Sequence, residues 1–313
     1  MTRSQLFIGL ILALLIGAAA ATAAHAQLAV WRPSPGHTQI LLWPGAAPDA
    51  QPMAGPERGG PGEAYDVARP TLTFYRPRGG NTGAAVLVFP GGGYQMLAMG
   101  LEGTEVCDWL TAKGIACVLV KYRVPNSGPH YDDHCHCQLD PVAPMALEDA
   151  QRALGLVRHH AAEWRIDPHR IGVIGFSAGG HLVAWISTHF QTRAYAPIDA
   201  ADQVSCRPDF ALALYPGHLS MAANTIELRP DIASHITPQT PPTFLLQNED
   251  DHVDSVEDAI SYYMALKKAG VPAELHSYAQ GGHAFGLRPS PLAVSHWPRL
   301  AQTWMAGLGI IPK

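Results

Sequence analysis

Hydrophobic residues in this chain follow two spacings, and their alternation predicts its architecture. Residues 84–89, 115–120, 171–174, 210–215 and 243–247 are near-continuous apolar runs, and 273–278 is a shorter β-like segment. Such runs suit strands covered on both faces, because a half-exposed strand would alternate apolar with polar positions. Between them, Ala150, Leu154, Val157, Ala161 and Trp164 recur at steps of four and three, which lays one apolar stripe along a helix over residues 147–164. Residues 254–269 predict a second helix, stopped by Gly270 and Pro272, and Trp297, Leu300, Trp304 and Leu308 predict a last amphipathic one. Two short strands, 39–43 and 71–75, are separated by a Pro/Gly-rich stretch over 44–62 that reads as loop, and they are expected to form an antiparallel edge. Strand and helix in alternation predict one three-layer α/β domain, a mostly parallel sheet with helices on both faces. The irregular stretches 123–144 and 216–242 follow carboxyl ends of predicted strands, where open α/β sheets bind ligands, and are candidate pocket walls.

The N-terminus changes the compartment expected for this domain. Arg3 is followed by an apolar or small-residue run from Leu6 to Ala21, and Ala24-His25-Ala26 has the small-x-small form of a cleavage site. Residues 1–26 therefore read as a signal peptide and 27–313 as a single catalytic domain, exported to the periplasm or secreted. The strongly apolar part, 6–16, is short for a spanning helix, so no stable membrane insertion is expected after cleavage. With a net charge of −5, 15% charged residues and scattered basic positions, the chain has no footprint of a nucleic-acid binder. Its 5 cysteines, Cys107, Cys117, Cys135, Cys137 and Cys206, would meet an oxidising environment, so one or two disulfides are expected. Cys135 and Cys137 are too close in sequence to bridge without strain, which suggests that one of them reaches elsewhere, with Cys206 as a candidate.

The chemistry gathers at three predicted strand ends. Gly175-Phe176-Ser177-Ala178-Gly179 lies between the run 170–174 and a helix-like stretch, as a sharp turn lifting a serine above the sheet would require. A serine hydroxyl is a poor nucleophile near neutral pH without a base in hydrogen-bond reach and a third group orienting that base. His283, flanked by Gly281, Gly282 and Gly286 after the last strand, is the candidate base. Glu249, Asp250 and Asp251 follow the preceding strand; Asp251 is preferred as the orienting carboxylate, with Asp250 the alternative. The oxyanion hole is expected from the backbone N–H of Ala178 and from Gly92 and Gly93 in Pro90-Gly-Gly-Gly-Tyr94. That glycine loop lacks the lysine of a phosphate-binding loop, and no dinucleotide fingerprint is present. His159, His160, His181 and His189 read as helix-face or packing residues. The segment 130–137 carries three histidines and two cysteines, but they are crowded rather than set in two separated pairs, which favours a disulfide-tethered loop over a zinc site. No cofactor or metal is required by this chemistry.

Taken in order, Pro90-Gly-Gly-Gly-Tyr94, Tyr122-Arg123, Ala146-Leu-Glu-Asp-Ala-Gln-Arg-Ala153, Ile166-Asp-Pro-His-Arg-Ile171, Gly175-Phe-Ser-Ala-Gly-Gly-His-Leu182, residues 251–260 and Gly281-Gly-His-Ala-Phe-Gly286 resemble the α/β-hydrolase superfamily. Within it they resemble the secreted esterase/lipase group of acetyl esterases, acetylxylan esterases and bacterial feruloyl esterases. The resemblance implies hydrolysis of carboxylic esters through an acyl-serine intermediate, without a cofactor, often on small acyl groups of plant cell-wall carbohydrate. It also implies Asp251 rather than Asp250 as the triad acid. The chain departs from many relatives in carrying Asp254-Ser255 where they have a valine-proline pair, and Pro90 where many lipases have histidine. A serine peptidase of the prolyl-oligopeptidase type and a non-catalytic carbohydrate-binding module on a hydrolase fold are the competing readings.

Overall fold

Eight strands align in one sheet: β1 (Gln39–Leu41), β2 (Thr71–Tyr75), β3 (Ala85–Phe89), β4 (Ala116–Lys121), β5 (Ile171–Phe176), β6 (Ala211–Leu214), β7 (Thr243–Asn248) and β8 (Ala273–Tyr278). The computed structural model describes residues 30–50, 55–124, 131–132, 137–138, 143–222 and 225–312. The segment read as a signal peptide lies outside those residues, as does most of 125–142, where only the backbone of a short antiparallel pair, Tyr131–Asp132 with Cys137–Gln138, is described. The cysteine- and histidine-bearing stretch weighed as a zinc site or tethered loop therefore lies outside them as well.

The sheet order is β1-β2-β4-β3-β5-β6-β7-β8. β1 and β2 pair antiparallel, and β2 runs antiparallel to β4, so the expected antiparallel edge is present. From β4 to β8 the pairing is parallel throughout, with Ile171 opposite Ala85 and Phe176 opposite Leu214. Every residue of β3, β4, β5 and β7 is buried, which is why these strands read as apolar runs with no alternation.

Among the described residues, six α-helices lie between strands, α1 (Glu105–Ala112), α2 (Pro144–His159), α3 (Ala161–Trp164), α4 (Ala178–Thr188), α5 (Pro230–Ala233) and α6 (Val256–Lys268), and α7 (Trp297–Gly307) follows the last strand. Successive residues of a strand face opposite sides, so the end of β5 shows how the layers divide. Gly175 faces α4, where a Cβ would meet the Gly179 carbonyl and Val183. Phe176 faces the other way, its ring 6.3 Å from that of Trp297 on α7. Helices thus cover both faces. α1 joins the α7 layer through Trp109, whose ring lies 5.6 Å from Trp297.

Three expectations need correction. The stretch 44–62 is not wholly loop: Arg58–Gly60 pairs antiparallel with Glu63–Tyr65, which pairs in turn with Met96–Leu97. The single helix expected over 147–164 breaks at His160, but the stripe survives because α3 resumes it, and Ala150, Leu154, Val157 and Ala161 are all buried. Cys206 is a buried free thiol donating to the Phe190 carbonyl at 3.4 Å, not a disulfide partner. Among the described residues the disulfide is Cys107–Cys117, made where α1 lies on β4 and brings the two Cα atoms to 5.2 Å, inside the range a disulfide spans.

Candidate active site

Ser177 is the single residue between the end of β5 and the start of α4. Its backbone sits at φ 52°, ψ −122°, a conformation that costs an L-residue energy and persists only where the surroundings over-determine it. They do so here: its N–H donates to the Leu214 carbonyl at 3.0 Å, and its own carbonyl accepts from His181 at 3.0 Å and Gly217 at 3.4 Å. The turn also demands small neighbours. A Cβ on Gly179 would lie 2.0 Å from the Phe89 carbonyl oxygen, too close for any side chain.

His283 arrives on the loop after β8. That loop is fastened by Asn248 Nδ2 donating to the Gly282 carbonyl (2.9 Å), Gly282 N–H donating to Asp250 Oδ1 (2.7 Å) and Trp297 Nε1 donating to the Gly286 carbonyl (2.7 Å). Its Nε2 stands 3.0 Å from Ser177 Oγ and its Nδ1 2.7 Å from Asp251 Oδ2. A carboxylate can only accept, so Nδ1 carries the proton and Nε2 is left to accept from the serine hydroxyl. Asp251 is itself buried and held by the Gln247 side chain (3.0 Å) and the amides of Val253 (2.9 Å) and Asp254 (3.1 Å). The structure thus brings Ser177, His283 and Asp251 together. Asp250 instead accepts from the Gly282 amide, which holds its carboxyl below the ordinary aspartate value.

Burial opposes charge on the His283 ring, but the hydrogen bond to Asp251 and the carboxylates of Asp254, Asp251 and Glu102 outweigh it, so its pKa is raised. Two of those carboxylates were not singled out from sequence. Glu102 is buried in a wide helical turn over Gly100–Thr104, accepting from the Gly91 amide at 2.7 Å and the Tyr215 hydroxyl at 2.8 Å. Burial raises its pKa against those two bonds. Asp254 was expected to open a helix, yet α6 begins at Val256 with Ser255 as its cap. The Asp254 side chain instead turns to the serine, with Oδ2 3.3 Å from Ser177 Oγ and 3.7 Å from His283 Nε2. The sequence signal for it was the departure from the valine-proline pair of many relatives.

The glycine loop is pinned at both ends. Tyr122 donates its hydroxyl to the Pro90 carbonyl at 2.6 Å, and the Tyr94 hydroxyl meets His181 Nδ1 at 2.7 Å. His181 is buried, and its pKa is pushed well below the usual histidine value by that burial, so the ring is neutral. Gly92 (φ 125°) and Gly93 (φ 60°) adopt positive φ between these anchors. Among the described residues, the amides of Gly92, Gly93 and Ala178 have no protein acceptor. Ala178 opens α4, whose first amides are unsatisfied by helix geometry.

Several of these groups line one cavity of about 350 Å³. Gly92, Gly93, Ser177, His283, Asp254 and Glu102 share it with Met96, Leu101, Val253 and His218. His218 comes from the irregular stretch 216–242, so that expected pocket wall does reach the site; the other, 123–144, lies mostly outside the described residues. A larger groove of about 800 Å³ beside Trp109, Pro298 and Arg299 contains none of these groups. Among the described residues no cluster of His, Cys, Asp or Glu could hold a metal ion.

A family model described as BD-FAE matches residues 72–205. The chain is 31% identical over 228 residues to an acetylxylan esterase of Xylanibacter ruminicola, covering 66% of this chain and 42% of that protein. It thus spans less than half the length of that relative. A solved structure of an acetyl ester-xyloside bifunctional hydrolase from Caldicellulosiruptor lactoaceticus is 34% identical, superposes with a TM-score of 0.71 and is matched over 88% of this chain and 97% of its own. An esterase from Thermogutta terrifontis, solved with propionate bound, is 23% identical with a TM-score of 0.67 over 89% and 97% of the two chains, which shows a shared fold. With a mostly parallel sheet, a serine at the strand-to-helix bend and near full-length correspondence to a 34% identical structure, the chain belongs to the α/β-hydrolase esterases, in the group resembling acetylxylan esterases.

Proposed function

We propose that this protein is a serine carboxylic-ester hydrolase acting on short acyl esters such as acetylated carbohydrate. The observation that carries this reading is the unbroken line from Ser177 Oγ to His283 Nε2 (3.0 Å), both on the wall of the cavity, and from His283 Nδ1 to the buried Asp251 Oδ2 (2.7 Å) behind it. Ser177 Oγ attacks the acyl carbon while its proton passes to His283 Nε2. The amides of Gly92, Gly93 and Ala178 take the oxyanion. Collapse breaks the bond to the alcohol, which leaves with the proton from Nε2 and gives an acyl-serine. Water then repeats the sequence, His283 taking its proton and returning it to Ser177, and the acid departs. Asp251 keeps the ring in the tautomer that both halves need.

A cavity of about 350 Å³ lies near the small end of ligand sites and suits a short acyl group with a compact alcohol. Acetylated carbohydrate is supported by the names of the Xylanibacter and Caldicellulosiruptor proteins. The segment read as a signal peptide supports action outside the cytoplasm, in the periplasm or the medium. The test is turnover of 4-nitrophenyl acetate and release of acetate from acetylated xylan. Ser177→Ala should lower both by more than about 10⁴-fold, and a fluorophosphonate should label Ser177 stoichiometrically. Undiminished turnover in the Ser177→Ala protein would sink the proposal.

A further inference from the structure

Glu102 is a buried acid on the cavity wall that the catalytic scheme does not use. It is 2% exposed, and each of its oxygens takes one donor: Oε2 the Gly91 amide at 2.7 Å, Oε1 the Tyr215 hydroxyl at 2.8 Å. The two donors belong to different sides of the site. Gly91 opens the glycine stretch after β3 and packs behind the nucleophile, where a Cβ would lie 2.9 Å from Ser177 Cβ and 2.8 Å from Glu102 Oε2 itself. Tyr215 follows β6 at φ 36° and is fully buried, its ring centroid 4.8 Å from that of His283 and 4.5 Å from that of Phe285 in edge-to-face contacts. Leu101, the neighbour of Glu102, meets the histidine loop as well: a Cβ on Gly286 would lie 2.7 Å from its Cδ1.

The bonds at Gly91 control the amides that follow it. Its carbonyl accepts from the Ala98 amide at 3.0 Å while its N–H is held by Glu102. In a trans peptide the carbonyl and the next N–H point in opposite directions, so a Gly91 carbonyl fixed on Ala98 turns the Gly92 N–H away from it. A carboxylate suits this place because it offers one acceptor to each side. A glutamine offers a single acceptor: with its oxygen on Gly91, its nitrogen faces Tyr215, whose hydroxyl must then accept and leave its own hydrogen without the partner it has now. A buried donor left unpaired is costly, so the groups around it shift. We propose that Glu102 is a positioning residue that joins the glycine loop to the histidine side through Gly91 and Tyr215, keeping the oxyanion donors and the base in register with Ser177. The inference rests on the ester-hydrolase reading and adds to it the residue that couples the two halves of the site.

The experiment measures kcat and KM for 4-nitrophenyl acetate and the inhibition constant of 1,1,1-trifluorobutan-2-one. In the inhibitor adduct Ser177 Oγ bonds to the carbonyl carbon, the carbonyl oxygen becomes the oxyanion, and the serine proton stays on His283 Nε2, so both halves of the site are read at once. Misplaced donors weaken the transition state and this adduct alike and leave ground-state binding nearly untouched. In Glu102→Gln kcat should fall by about tenfold or more and the inhibition constant rise by a similar factor, while KM moves less than about threefold. Tyr215→Phe keeps the ring beside His283, removes only the hydroxyl and should do the same. The double variant should lose no more than about threefold beyond Glu102→Gln, because its second change cuts a line already broken. If Glu102→Gln does not fold, as judged by circular dichroism, Tyr215→Phe decides on the same two readouts. A fall in kcat of less than about threefold, an inhibition constant that does not rise with it, a change confined to KM, or losses that multiply in the double variant would overturn the role. Ser177→Ala keeps the two ideas apart: if it abolishes turnover while Glu102→Gln and Tyr215→Phe behave like the native protein, only this inference fails.

Discussion

At the scale of single residues, the charges around His283 decide the lowest pH at which its ring can accept a proton. Burial works against protonation, but the bond to Asp251 and the fields of Asp254, Asp251 and Glu102 prevail and raise the pKa above the ordinary 6.5. A base is active only when neutral, so a raised pKa moves the acid limb of activity upwards. The expected kcat/KM profile, taken with an ester that does not itself titrate, has its acid midpoint above pH 6.5 and falls about tenfold per unit below it. Asp254→Asn removes one of the raising charges and should shift that midpoint to lower pH for every substrate. A midpoint that stays put or rises would show that the Asp254 carboxylate does not act on the ring. The same residues show what sequence can convey. Ser177, Asp251 and His283 were legible because each follows a strand that reads clearly, in an order and with small neighbours that a bend and a loop need. Asp254 was not, because a carboxylate two positions before a helix looks like a cap, and only the space left by Gly217 reveals where it turns.

At the scale of elements, the site depends on how firmly the glycine loop after β3 is held. Gly92 and Gly93 have no side chains to anchor them, so position is set by neighbours: the Pro90 carbonyl takes the Tyr122 hydroxyl at 2.6 Å, the Gly91 amide reaches Glu102, and Tyr94 meets His181. Tyr122→Phe deletes one of these ties and leaves a buried carbonyl without its partner. Because displaced oxyanion donors weaken transition-state binding more than ground-state binding, kcat should fall by roughly tenfold or more while KM moves less than about threefold. Melting should show a loss of about 1–3 kcal/mol. A change confined to KM would mean that Tyr122 shapes the pocket and not the loop. Elements differed in legibility for a related reason. β3, β4, β5 and β7 announce themselves because burial on both faces keeps their central positions apolar, with the buried polar residues Lys121, Thr243, Gln247 and Asn248 confined to strand ends. The hairpin of Arg58–Gly60 and Glu63–Tyr65 does not, since strands of 3 residues carry no period and their third partner, Met96–Leu97, comes from beyond two further strands. The break at His160 was hidden because α3 continues the apolar stripe of α2.

Across the whole molecule, the Cys107–Cys117 bridge joins a helix of one outer layer to the sheet, and its strength is tied to the compartment proposed for the protein. The two cysteines are 10 positions apart and fully buried, with α1 leading directly into β4. Closing a loop of that size removes unfolded-state entropy worth about 3 kcal/mol in the chain-entropy view. For a domain of this length the equivalent is a melting temperature lower by roughly 5–10 °C when the bridge is absent. Because both sulfurs are out of reach in the folded state, a mild reductant should leave activity unchanged at ambient temperature. It acts on the unfolded chain, so the melting temperature should fall when the protein is heated with reductant. The Cys107→Ala/Cys117→Ala protein should melt at that lower temperature with or without reductant, which separates the bridge from other effects of the reagent. Material made in a reducing cytoplasm should behave like the double variant, and exported material like the oxidised protein. If native protein, reduced protein and double variant all melted within about 1 °C of one another, the bridge would contribute nothing to stability, and the physical reason for folding this chain in an oxidising compartment would be gone.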